Sequence, residues 1–98
     1  MFNEVILVGR IKDMGNVDEN KREIILEVER PFNENEGKKY DLFVCKLWNA
    51  IFNKVISYCS YGDVIIMKGR LLYDNDSYYV MAENVVLLNK SLNNISKQ

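Results

Sequence analysis

Hydrophobic and polar residues alternate along much of the chain with a period of two, which is typical of half-buried β-strands. The clearest case is 22–30, where Ile24, Leu26 and Val28 share one face and the opposite face carries glutamates. The other segments are rich in β-branched and aromatic residues, as strands usually are. The pattern therefore predicts five strands, at residues 3–12, 22–30, 40–49, 63–73 and 78–88.

One stretch departs from this period and predicts a short helix. Its apolar residues are spaced i, i+3, i+4 and i+7, so that they form one stripe, and they are Phe52, Val55, Ile56 and Cys59. Asn49 is the expected N-cap of this helix, and Gly62 is its expected C-terminal stop. The polar segments 13–21 and 31–39 predict loops, and 74–77 has the composition of a tight turn.

Three strands, a helix and two strands form the element order of an oligonucleotide/oligosaccharide-binding (OB) barrel. The expected fold is therefore an all-β, five-stranded OB-fold barrel with one short helix between strands three and four. A small SH3-like barrel is the structural alternative, although it usually lacks that helix. The 98 residues allow one domain. We expect the barrel to span 1–88 and a polar, flexible tail to span 89–98.

Composition narrows the chemistry that this barrel could support. The sequence has no histidine, so imidazole bases, Ser-His or Cys-His pairs and histidine metal ligands are excluded. Asp74 and Asp76 are weak candidates for an acid/base pair, because they lie in a turn sequence. Cys45 and Cys59 form no Cys-x-x-Cys motif and are expected to be buried small hydrophobes. We therefore expect no enzyme activity, no cofactor and no metal.

The remaining bulk features concern partners and location. A net charge of −1, from 13 basic and 14 acidic residues, is unlike that of a strongly basic duplex-DNA binder. The chain has no basic leader at its start and no apolar run of about 20 residues that could span a membrane. The expectation is a reduced, cytoplasmic protein with no membrane partner.

The third predicted strand carries unusual residues on the face opposite its core set. Phe43, Cys45 and Leu47 form that core set, and the opposite face carries Tyr40, Leu42, Val44, Lys46 and Trp48. Aromatic rings beside a cation suit single-stranded nucleic acid, because bases stack on rings and the ammonium pairs with phosphate. The alternative interpretation is that Trp48 packs in the core and Lys46 is merely solvated. Two other strands each place a pair of basic residues on one face: Lys68 with Arg70, and Arg10 with Lys12.

Three sequence blocks, in order, resemble bacterial single-stranded DNA-binding proteins. Residues 3–10 (NEVILVGR) are similar to the family pattern N-x-V-x-L-x-G-R/N. Residues 58–71 (YCSYGDVIIMKGRL) resemble Y-L-x-K-G-D-x-V-x-V-x-G-R-L, and 78–85 (YYVMAENV) resembles Y-x-x-x-V/A-E-x-V. Each block is weak singly, but together they span residues 3–88.

The resemblance implies non-sequence-specific binding of single-stranded DNA in replication, recombination or repair, by a homodimer or homotetramer. Phe32 and Trp48 match positions of base-stacking aromatics, and Tyr73 lies close to another. Leu42 falls near a position that is often tryptophan, so one stacking platform is lost. The basic residues on the implied phosphate path are Lys46, Lys68 and Arg70, with Arg10 as a further candidate.

The chain also departs from the family pattern. Its last residues lack the acidic tail with a terminal Pro-Phe through which family members recruit other proteins, so such recruitment is not expected. A single domain without that tail also resembles primosomal replication protein N, which shares the fold and is more basic. The alternative function is therefore an OB-fold protein-interaction or primosome accessory module.

Overall fold

The order of secondary structure agrees with the sequence pattern. The computed structural model describes residues 1–15, 22–31 and 37–88. Phe32 and the predicted tail at 89–98 lie outside this part of the chain. The elements are β1 (Val5–Met14), β2 (Glu23–Glu29), β3 (Tyr40–Leu47), α1 (Asn49–Tyr58), β4 (Val64–Asp74) and β5 (Ser77–Leu87).

The five strands close into a barrel in the order β1-β2-β3-β5-β4. Strands that are neighbours in the barrel pair antiparallel, except that β3 runs parallel to β5, with Cys45 opposite Val80. Helix α1 connects β3 to β4. This arrangement confirms the predicted OB-fold barrel.

The barrel interior is filled by alternate residues of every strand, as the two-residue period predicts. Ile24 and Leu26 of β2 are buried, and so are Cys45 and Leu47 of β3. Helix α1 adds Phe52 and Val55 to this core. Burial raises the pKa of the Cys45 thiol to about 12, so it remains protonated and unreactive at neutral pH. Cys59 is also buried, which confirms that both cysteines act as small core residues.

A β-bulge bends the β4–β5 hairpin where the barrel needs a corner. The register shifts beside Gly69, which lies opposite Ala82, while Lys68 lies opposite Asn84. Gly69 has no room for a side chain, because a Cβ there would collide with the carbonyl oxygen of Met81. Glu83 is the extra residue of the bulge, and the inward-facing parity of β5 changes at this point.

The ends of the helix differ from the prediction. Trp48, not Asn49, is the N-cap, and it makes no side-chain capping hydrogen bond. The Asn49 side chain is already engaged, because its Oδ1 accepts a hydrogen bond of 2.6 Å from Nε of Arg22. The C-cap is Cys59, so Gly62 does not end the helix but lies in the following turn with a φ of +88°.

The β4–β5 hairpin ends in a tight two-residue turn, as its sequence predicts. Asp74 lies opposite Ser77, and the two central residues, Asn75 and Asp76, have φ values of 50° and 63°. Two consecutive positive φ angles are the mark of a type I′ turn, whose twist matches that of the strands. Within the described residues, no helix has the length and hydrophobicity needed to cross a membrane.

Candidate nucleic-acid interface

The outer surface of β3 is an exposed strip of aromatic and aliphatic side chains. This strip, called the β3 face below, comprises Tyr40, Leu42, Val44 and Lys46 of β3, together with Trp48, which follows the strand as the N-cap of α1. Leu42 is 57% exposed and Trp48 is 65% exposed, so the interpretation of Trp48 as a core residue is wrong. A contiguous apolar strip of this kind on a barrel surface marks an interaction site.

Tyr79 of β5 lies beside the β3 face because β3 and β5 pair in parallel. The Nζ atom of Lys46 lies 4.3 Å from the centroid of the Tyr79 ring, which is a cation–π contact. Sequence reasoning did not select Tyr79 as a site residue. Its strand partner could not be read from the sequence, because β3 and β5 are separated by a helix and another strand.

A cleft of about 240 Å³ opens between the β3 face and the β4–β5 hairpin. One wall is formed by the middle of β3 and the other by the turn and the start of β5. The cleft is lined by aromatic rings and also by carboxylates. The lining residues are Glu23, Val44, Lys46, Asp74, Asn75, Ser77, Tyr78 and Tyr79.

Tyr73 is exposed, but it packs beside Tyr78 and does not line the cleft. The two ring centroids are 4.9 Å apart with planes tilted by 56°, a favourable aromatic geometry. The Tyr73 hydroxyl donates a hydrogen bond of 3.0 Å to Oδ1 of Asp76. Tyr73 therefore supports the hairpin and orients Tyr78, which does line the cleft.

The predicted basic pair on β4 is neutralised within the chain. Nζ of Lys68 lies 3.0 Å from a carboxylate oxygen of Glu4, and Nε of Arg70 lies 2.9 Å from Glu83. Glu83 reaches Arg70 because it is the bulged residue of β5. Both ion pairs are about half exposed, so each contributes little stability and can exchange its carboxylate for another anion.

Arg70 shares a row with Lys46 on the outer surface of the barrel. Met81 of β5 lies opposite Lys46 on one side and opposite Arg70 on the other. Two strand spacings, about 10 Å, therefore separate the backbones of the two cationic residues. Lys68 lies farther from β3, opposite Ile6 of β1.

Arg10 is separated from the β3 face by an acidic strand. Arg10 lies opposite Glu27 of β2, and Glu27 in turn lies opposite Leu42 of β3. The Arg10 guanidinium donates a hydrogen bond of 3.1 Å to the carbonyl oxygen of Gly62. Of the predicted site residues in the described chain, Lys46 and Arg70 lie in one row and Trp48 lies two residues after Lys46, whereas Arg10 and Lys68 lie apart.

The outer surface of β2 is dominated by carboxylates, which sets the electrostatics of this side of the barrel. Glu27 pairs with Lys12 at 3.7 Å, and Glu29 pairs with Lys38 at 3.9 Å. At the end of β2, Arg30 donates hydrogen bonds of 3.0 and 2.8 Å to the two oxygens of Asp41. These hydrogen bonds hold the pKa of the Asp41 carboxyl below its usual value.

Comparison with known proteins shows which fold the chain shares. No family model and no curated protein sequence matches it. Solved structures do match, and one is the mitochondrial single-stranded DNA-binding protein of S. cerevisiae, with a TM-score of 0.73 and 14% identity. That match covers 91% of this chain and 97% of the other.

A second match is the small single-stranded DNA-binding protein of Streptomyces coelicolor, with a TM-score of 0.69 and 15% identity. It covers 93% of this chain and 97% of the other. At such low identity the likeness establishes the fold alone. The chain therefore has the OB-fold barrel found in these single-stranded DNA-binding proteins, which confirms the fold that the sequence resemblance implied.

Proposed function

We propose that this protein binds single-stranded DNA without sequence specificity, through the β3 face. The observation that carries the proposal is Trp48, a large aromatic ring that is 65% exposed two residues after Lys46, at the end of β3. An exposed indole on a rigid strand end offers a flat surface on which any base can stack. The fold shared with solved single-stranded DNA-binding proteins supports this function.

Lys46 is the proposed phosphate contact closest to the stacking surface. Its ammonium lies over the Tyr79 ring and, among the described residues, forms no ion pair with a carboxylate. The cation–π contact holds the ammonium in place while leaving donor hydrogens for a phosphate oxygen. Binding at Lys46 therefore requires no internal ion pair to break.

Arg70 and Lys68 extend the proposed phosphate path across β4. Each would exchange its carboxylate partner for phosphate, which costs little for pairs as exposed as these. The carboxylates of β2 repel phosphates on the other side of β3. We therefore infer that the strand runs from the β3 face across β5 towards β4, and that Phe32 and Arg10 are secondary candidates.

We further propose that this binding activity serves replication, recombination or repair in the cytoplasm, and no catalytic step is part of the proposal. A second candidate function is an OB-fold interaction or primosome accessory module. One observation favours it: Glu4 and Glu83 neutralise the basic pair on β4, which lowers the positive potential available to DNA.

A self-complementary apolar patch supports assembly into a homodimer or homotetramer. Ile6 and Val8 of β1 are 61% and 50% exposed. Val8 lies opposite Ile66 of β4, and Ile66 lies opposite Val86 of β5, so the patch continues across three strands. An apolar patch without charge at its centre suits a second copy of the same surface.

Replacing Trp48 tests the stacking surface directly. Trp48→Ala should weaken binding of a labelled oligo-dT by about 1–3 kcal/mol, the contribution of one stacked base, measured by fluorescence anisotropy. Its thermal stability should change by less than about 1 kcal/mol, because an exposed side chain is removed. Tyr61→Ala, which removes an exposed ring from the turn after α1, is the control and should bind normally. Wild-type affinity in a folded Trp48→Ala variant would contradict the stacking role.

The salt dependence of binding tests the phosphate path. Replacing both Lys68 and Arg70 with glutamine should reduce the slope of log K against log salt by about 1.4, because two phosphate contacts are lost. The matched control replaces Lys12 and Lys38, whose partners are the β2 glutamates, and removes the same charge. The control slope should equal that of the wild type, and equal slopes for both double variants would exclude β4 from the path.

Light scattering tests the assembly. The wild type should have a mass that is a multiple of 11.5 kDa, and Val8→Lys should yield the monomer, because it places a charge in the apolar patch. Leu42→Lys, a similarly exposed change on the β3 face, is the control and should keep the wild-type mass. A monomeric wild type at tens of micromolar would rule out the proposed assembly.

A further inference from the structure

The cleft between the β3 face and the β4–β5 hairpin has features that the stacking and phosphate contacts do not use. We propose that it holds a single nucleobase of the bound strand and favours bases with an exocyclic amino group over thymine. The inference rests on the proposed binding of single-stranded DNA and adds base preference at one position. It comes from the shape of the cleft and from the hydrogen-bonding chemistry of its rim.

The size and walls of the cleft suit one planar ring. Its volume of about 240 Å³ is below the range of about 300–1,000 Å³ that is typical of sites for drug-sized ligands. Val44 and the rings of Tyr78 and Tyr79 supply the apolar walls. The cleft adjoins the β3 face, since Val44 and Lys46 belong to both, so a base entering it is continuous with a strand stacked on Trp48.

The rim of the cleft is rich in hydrogen-bond acceptors. Glu23 is half-buried and Asp74 is exposed, and both are carboxylates that only accept hydrogen bonds when ionised. Within the described part of the chain, neither carboxylate forms an ion pair or a side-chain hydrogen bond. Both therefore keep their accepting capacity for a ligand.

These acceptors match some bases and not others. Cytosine, adenine and guanine each present an exocyclic amino group with two N–H donors, enough for both carboxylates, whereas thymine presents a single N3–H donor between two carbonyl oxygens. A carbonyl oxygen facing a carboxylate is an acceptor against an acceptor, so neither group regains the hydrogen bond it loses with water. The rim therefore favours amino-bearing bases.

The hairpin backbone that carries Asp74, and Lys46 on the opposite wall, are held in place before any ligand binds. The hairpin turn is a tight type I′ turn, and the Ser77 hydroxyl donates a hydrogen bond of 3.3 Å to the carbonyl oxygen of Asn75. Asp76 accepts a hydrogen bond from Tyr73, and Lys46 is fixed over the Tyr79 ring. Preorganised groups lose little entropy on binding, which strengthens their selectivity.

Two oligonucleotides that differ in the relevant group test the preference. Oligo-dC and oligo-dU of about eight nucleotides are compared at mildly alkaline pH, and each lacks the thymine methyl group. Cytosine has an amino group at C4 and an acceptor nitrogen at N3, whereas uracil has a carbonyl group at C4 and a single N–H donor at N3. The wild type should bind oligo-dC at least about 5-fold more tightly, the discrimination expected from one base hydrogen bond.

Matched variants assign the preference to the cleft. Asp74→Asn and Glu23→Gln should each lower the ratio of the two affinities towards one, because an amide offers a donor to the carbonyl oxygen as well as an acceptor. Asp76→Asn is the control: it removes the same charge on the same turn, but Asp76 does not line the cleft and its positive φ suits asparagine. The asparagine Oδ1 can still accept the hydrogen bond from Tyr73, so the support of the hairpin is kept. It should therefore keep the wild-type ratio, even if the lost charge strengthens binding of both oligonucleotides.

The outcomes separate this inference from the proposed function. Equal affinities, or tighter binding of oligo-dU through donation from Lys46 to the C4 carbonyl, would overturn the base preference while leaving single-strand binding intact. A preference for oligo-dC that persists in Asp74→Asn and Glu23→Gln would also overturn it. If neither oligonucleotide binds, both the proposed function and the inference built on it fail.

Discussion

The parallel pairing of β3 with β5 is the contact on which the rest of the structure depends. It closes the barrel, and so it buries Cys45 and Val80 against the other inward-facing residues. The same pairing sends the opposite faces of the two strands outward together, which brings Tyr79 beside Lys46. Successive side chains of a strand point to opposite sides of the sheet. The same register between β3 and β5 therefore determines both which residues enter the core and which lie together on the exposed face.

Acidic and basic side chains lie on opposite sides of the β3 face. Although the net charge is only −1, the carboxylates of β2 lie on one side of the β3 face and the cations of β4 on the other. The two cations of β4, Lys68 and Arg70, are held by internal carboxylates, and Lys46 is instead held by an aromatic ring. In the proposed binding mode, these charges direct the phosphates of a single strand towards β5 and β4 while its bases lie on β3. Duplex DNA gains little binding free energy from this surface, because its paired bases cannot stack on the aromatic rings.

Much of this arrangement could be predicted from the sequence, because it rests on local periodicity. Alternation correctly assigned Cys45 and Leu47 to the interior and Phe43 to the side that packs against it, but it left open whether Trp48 is exposed or packed in the core. Element order gave the barrel, since a helix between the third and fourth strands is characteristic of this fold.

The errors and omissions arise where long-range contacts decide the outcome. The Glu83–Arg70 ion pair depends on a bulge that exists because Gly69 approaches the backbone of Met81. Asn49 fails as a helix cap because Arg22, 27 residues away, takes its side chain. The proximity of Tyr79 to Lys46 depends on strand closure, which local pattern does not specify.

Mapping backbone amide chemical shifts during titration with oligo-dT tests the central claim most directly. If the β3 face binds the strand, the largest changes should occur at Val44, Lys46 and Trp48 and at their β5 neighbour Tyr79, and the Trp48 indole N–H should shift with them. The acidic outer residues of β2 away from the cleft, Glu27 and Glu29, should change least among the neighbouring strands. Changes concentrated on the apolar patch around Val8 or on helix α1, with β3 unaffected, would contradict the account.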